Sequence, residues 1–123
     1  MSTAVLLVDT DSAALARMAD ALRAADYAPV LADSFEAAVA ALRTGGFGFV
    51  VTAHRLGAHN GLHLVLRARA EDARAGTLVT TPAPDAVLEK EAASFGALTI
   101  VAPWEHPGDL LAALERAKRI QPA

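Results

Sequence analysis

Few side chains in this 123-residue sequence are equipped for chemistry, and most of them follow short apolar runs. Asp9 closes the run "AVLLVD", and its carboxylate is a weak candidate ligand for Mg²⁺, which takes oxygen donors. The plainer alternative is an acid that accepts hydrogen bonds from the next loop's amides. Thr81 closes "TLVTT" with a hydroxyl that can meet an anion or bond local backbone. His59 and His63 stand four apart, the spacing that puts two imidazoles on one helix face, and His54 is near them. His59 precedes Gly61, however, and no third strong ligand accompanies the pair, so solvated or locally bonded histidines are the simpler reading. The sequence has no cysteine, which removes disulfides and thiolate zinc sites. It shows no nucleophile–base pair, no phosphate loop and no paired strand-end carboxylates, so no catalytic residues, metal site or cofactor are assigned and a non-enzymatic role is expected.

These residues must be positioned by strands and helices, and the two alternate. Continuous apolar runs with β-branched residues mark strands buried on both faces at 4–9, 28–32, 47–53, 77–81 and 98–102. Between and after them, apolar residues recur at helical spacing over 12–25, 35–44, 61–75, 84–95 and 108–120. Asp11 and Ser34 suit the N-caps of the first two helices. Gly45-Gly46 suits the end of the second, so "GGFG" is a helix stop ahead of a strand rather than a phosphate cradle after one. Five strand–helix alternations predict a single α/β domain over 1–123: a five-stranded parallel sheet, doubly wound, with helices on both faces. Ligands of such sheets bind at the carboxyl ends of the strands, here Asp9, Ala32, Ala53, Thr81 and Ala102.

Composition narrows the function. The net charge is -3 and the pI about 5.7, which argues against a nucleic-acid surface. No apolar run approaches the roughly 20 residues of a membrane helix, and no secretory leader is evident, so a cytoplasmic location is expected. Arg55, Arg67, Arg69 and Arg74 are diluted by Glu71 and Asp72 and read as a solvated face. The tail 121–123 reads as a frayed end or the start of a linker.

The segments "VLLVDTDSAALARMADAL", "FVVTAHRLGAHNGLHLV", "TLVTTPAP" and "FGALTIVAPWE", taken in order, resemble the CheY-like receiver domain of two-component response regulators. The resemblance implies a flavodoxin-like (βα)₅ sandwich and a pocket built for phosphoryl transfer to a strand-end aspartate. That pocket needs a second acid beside the first, a hydroxyl, and a lysine to offset the new charge. In this sequence Asp9 matches the first acid and Thr81 the hydroxyl, while Thr10, Ala53 and Ala102 replace the second acid, the acceptor and the lysine. No register shift restores the acceptor, since no Asp or Glu lies between Glu36 and Glu71. The chain therefore looks like a pseudo-receiver that has lost its phosphoacceptor. The family also implies a cis bond at Ala102–Pro103.

On this reading the domain works as a protein-interaction module in phosphorelay signalling, independent of phosphorylation. The family suggests the face of the fourth helix, fifth strand and fifth helix, around Val87, Glu91, Thr99, Trp104 and Leu111. A sensor kinase, another regulator or a second copy would be the partner, with no nucleic acid or membrane bound. The alternative is a small-molecule or anion-binding regulatory domain that uses the emptied pocket among Asp9, Thr10, Ala53, Thr81 and Ala102.

Overall fold

Five parallel strands carry the fold of the computed structural model, which describes residues 2–119. They are β1 (Ala4–Val8), β2 (Ala28–Ala32), β3 (Phe47–Ala53), β4 (Gly76–Thr81) and β5 (Ala97–Val101), in the order β2-β1-β3-β4-β5. The helices are α1 (Ser12–Ala24), α2 (Phe35–Thr44), α3 (Gly61–Glu71), α4 (Ala86–Ser94) and α5 (Pro107–Arg119). This is the doubly wound α/β sandwich expected from the alternation. Its strand order reverses between β1 and β3, and that switch point opens a crevice at their carboxyl ends.

The alternation of side chains along each strand divides the core. On one face Val5, Leu7, Phe49, Val51, Leu78 and Ile100 pack under α1 and α5. Phe49, 2% exposed, meets Tyr27 edge-on with ring centroids 6.2 Å apart. On the other face Leu6, Val8 and Val50 pack under α2 and α3, and Val79 packs with Leu88 and Ala92 of α4. Each large side chain so buried contributes about 1.5–3 kcal/mol. Among the described residues no helix is long and apolar enough to cross a membrane.

The helix starts follow from short polar side chains. Asp11 accepts hydrogen bonds from the amides of Ala13 and Ala14, Ser34 from that of Ala37, Asn60 from that of Leu62 and Asp85 from that of Leu88. Gly45 and Gly46 lie at φ 71° and 87°, which confirms the helix stop read from "GGFG".

Apart from shifts of one residue at element ends and a short hairpin over 55–60, the structure departs from the sequence expectations in the third and fourth helices and at Pro103. The third helix ends at Glu71 rather than Ala75, because the Asp72 carboxylate accepts from the Arg74 amide and turns the chain. The fourth helix starts at Ala86, with Asp85 as its cap, rather than at Pro84. The Ala102–Pro103 bond is trans. The chain reverses there through Ala102, at φ 41°, whose amide donates to the Thr81 carbonyl while its own carbonyl accepts from the Glu105 amide. Of the last helix, Ile120 lies outside the described residues, as does the tail 121–123.

Candidate functional site

Three strand ends meet at the switch point. In the parallel register Val8 of β1 lies beside Thr52 of β3, and Ala53 beside Thr80 of β4. Beyond these pairs the chain bends away into loops and leaves a cleft of about 390 Å³. Asp9, Ala53, Thr80 and Thr81 line it from the strand ends, and His54, Arg55 and Trp104 line it from the loops. Asp11 and Asp85, the caps of α1 and α4, also face it.

Asp9 is 7% exposed, and its carboxylate accepts from the Asp11 amide at 2.9 Å. Burial pushes its carboxyl above the usual range; the Asp11 amide opposes this, the Asp11 charge adds to it, and the Thr10 amide opposes it again. A carboxyl that binds its proton more tightly when folded favours folding at low pH and loses that contribution as pH rises through its native pKa. D9N, which keeps the acceptor and removes the charge, is therefore expected to stabilise the protein at pH 7, by on the order of 1 kcal/mol. The gain should vanish below about pH 3.9, where Asp9 carries its proton in both states. Thermal melts of both proteins across pH 3–8 check this, and a gain that persists unchanged at low pH would exclude the charge as its cause.

The two threonines of β4 differ. The Thr81 hydroxyl donates to the Ala83 carbonyl at 3.0 Å, so it is held by local backbone. Thr80 is 2% exposed, and its Oγ1 has no hydrogen-bond partner. Sequence reasoning passed over Thr80, although alternation along β4 and its pairing with Ala53 place it on the cleft side of the sheet. Asp11 and Asp85 were also missed as cleft residues, because a helix cap and a cleft lining read alike in sequence.

Other residues singled out from the sequence are dispersed. Thr10 is exposed, and Ala102 is buried behind Thr81 without lining the cleft. His59 sits in a two-residue hairpin, Arg55–Leu56 with His59–Asn60, ahead of α3. It stacks on Phe35 and reaches Glu36 at 3.0 Å, so it does not share a helix face with exposed His63. His54 does line the cleft. Among the described residues no three His, Asp or Glu side chains converge as a metal site requires. Val87 is 69% exposed on α4, with Glu91 exposed one turn on. Leu111 instead lines a groove between α5 and the loop that carries Ala25, Asp26 and Tyr27 after α1, and Trp104 packs between the cleft and the α1–α5 core.

No protein-family model matches the chain, and no curated protein matches it. Its fold matches solved response-regulator structures closely. Vibrio cholerae chemotaxis protein CheY4 superposes with a TM-score of 0.86 at 22% identity, over 95% of this chain and 99% of that one. A signal receiver domain of an HD domain-containing protein from Pseudomonas fluorescens gives 0.82 at 25% identity, over 98% and 89%. A Burkholderia pseudomallei response regulator with a phosphorylated aspartic acid gives 0.80 at 25% identity, over 98% and 71%.

Proposed function

We propose that residues 1–123 form one atypical receiver domain, cytoplasmic and non-enzymatic, that serves two-component signalling through protein contacts and without aspartyl phosphorylation. The observation that carries this is Ala53. It ends the central strand β3 and lines the cleft opposite Asp9, and no Asp or Glu lies between Glu36 and Glu71. A methyl group has no lone pair to attack phosphorus, so the step that drives a phosphorylated receiver has no carboxylate nucleophile on this strand; the Thr52 hydroxyl, buried, donates to the Ala53 carbonyl. The likeness in fold to receiver domains of signalling proteins supports the signalling role. The partner is a sensor kinase, another regulator or a second copy, engaged through α4, β5 and α5. Val87, exposed on α4 with Glu91 beside it, supports that face.

The test is an amide NMR titration with Mg²⁺ and then beryllofluoride, which mimics a phosphoryl group on aspartate. We expect weak Mg²⁺ effects near Asp9 and no response to beryllofluoride. Saturable shifts spreading from Asp9 and Thr81 to Trp104 would overturn the phosphorylation-independent reading. For the docking face, a photo-crosslinker at Val87 should capture a candidate partner or second copy that one at Leu66 on α3, also exposed, does not. Equal capture from both sites would reject the chosen face.

A further inference from the structure

We propose that the strand-end cleft binds a small organic cation, a protonated amine or guanidinium on a short apolar stem, with Asp9 as its counter-ion. This does not rest on the docking face above and stands or falls separately. Asp9 is nine-tenths buried, and among the described residues no Lys, Arg or His lies within ion-pair distance of it. Its acceptors are engaged by backbone amides alone. A buried carboxylate without a cation is an unfavourable arrangement that a cationic ligand corrects.

Thr80 is a second and independent observation. Its hydroxyl is buried in the cleft wall with no partner in the protein. An ammonium group has three donors and no acceptor, so it can give one hydrogen bond to Asp9 and, once the Thr80 side chain turns toward the cleft, another to its oxygen. The remaining surface suits the stem of such a ligand. Ala14, Ala53 and Pro82 supply methyl and ring walls, and Trp104 supplies an aromatic face for the charge. The volume of about 390 Å³ fits a small molecule.

Other occupants match less well. An anion would draw on the N-termini of α1 and α4, but Asp11 and Asp85 already occupy those amides. It would also face three carboxylates, with Arg55, an exposed residue, as the one arginine or lysine among the cleft residues. For Mg²⁺, Asp11 and Asp85 are engaged as helix caps and no three of the described acids converge, so Asp9 alone offers too few oxygens.

Trp104 is the chain's single tryptophan, so its emission reports on the cleft directly. The full chain is titrated with n-butylammonium chloride against matched sodium chloride, following Trp104 fluorescence and amide NMR. Saturable binding is expected, with a dissociation constant on the order of 1 mM, as a ligand of this size allows. Shifts should centre on Asp9, Ala53, Thr80 and Trp104. D9N should weaken binding at least about tenfold, as loss of a charge-assisted bond does. T80V keeps the side chain's shape and removes the orphan oxygen, so it should fold at least as well and bind about threefold to tenfold more weakly. Lysine blocked at both ends distinguishes two sources of the cation. If it binds as well as butylammonium, the occupant is a basic side chain delivered by a protein; if it does not, the occupant is a free amine. The proposal is overturned by no saturation up to about 50 mM, by D9N and T80V binding like the wild type, or by tighter binding of inorganic phosphate or Mg²⁺.

Discussion

Replacing Gly61 by alanine is expected to remove about 3 kcal/mol or more of stability, because the added methyl overlaps main chain that cannot move. Gly61 opens α3 directly above the end of β3. A Cβ there would overlap the carbonyl oxygen of Ala53 and lie 3.1 Å from the Thr52 hydroxyl. The approach is held from both sides. The Gly61 amide donates to the His54 carbonyl at 2.7 Å, and the His54 amide donates to the Thr80 carbonyl at 3.0 Å. Relief would require α3 to lift off the sheet, or β3 to leave its register with β4. G61A should therefore lower Tm by roughly 10–15 °C and disorder the cleft wall at His54 and Arg55. G108A is the control: Gly108 lies in the first turn of α5 with nothing within 4 Å of an added methyl, so it should hold or raise Tm. A G61A melt within a degree or two of wild type would show that the contact yields.

That glycine also shows what could be read in advance. "HNGLHLV" signals a capped helix start, and Asn60 is the cap, but nothing local says that the backbone of Ala53 presses on the next residue. The architecture was legible because each element states its own period: unbroken apolar runs for buried parallel strands, helical spacing between them. The strand ends were legible for the same reason, and Asp9, Ala53 and Thr81 do line one cleft. What escaped was set by tertiary contacts. The Gly57–Ala58 turn, with Gly57 at φ 62°, closes a hairpin too short to show a strand pattern, and it diverts His59 to Phe35 and Glu36. Asp11 and Asp85 serve as helix caps and face the cleft at once, so the charge of the site could not be judged from strand ends alone. Trp104 could be read as packing under the last helix, but that it also borders the cleft is something no spacing rule foretells.

Introducing a carboxylate at the end of β3 should destabilise the same cleft. In A53D the new acid would stand at a position that is 9% exposed, lining one cleft with Asp9 at 7% exposure. Two buried carboxylates without a cation cannot both ionise cheaply, so the loss of stability at pH 7 is expected to be about 3 kcal/mol. The sign with pH is fixed. The introduced acid and Asp9 both hold their protons more tightly in the folded state. The penalty should therefore be largest at neutral pH and shrink as pH falls toward the ordinary carboxylate pKa of about 4. Mg²⁺ separates two accounts of the cleft. If Asp9 retains the geometry of a metal ligand, a paired acid gives Mg²⁺ two oxygen donors, and millimolar Mg²⁺ should restore about 1 kcal/mol to A53D while leaving the wild type unchanged. Phosphoryl transfer is a stricter demand, because Thr10 is exposed and neutral and Ala102 brings no cation to offset the new charge. Acetyl phosphate should therefore leave A53D unmodified under conditions that fully modify an active receiver domain. If A53D instead melts with the wild type and gains a phosphoryl group, Ala53 alone silences the pocket, and the cleft is a phosphorylation site one substitution from function rather than a site rebuilt for another ligand.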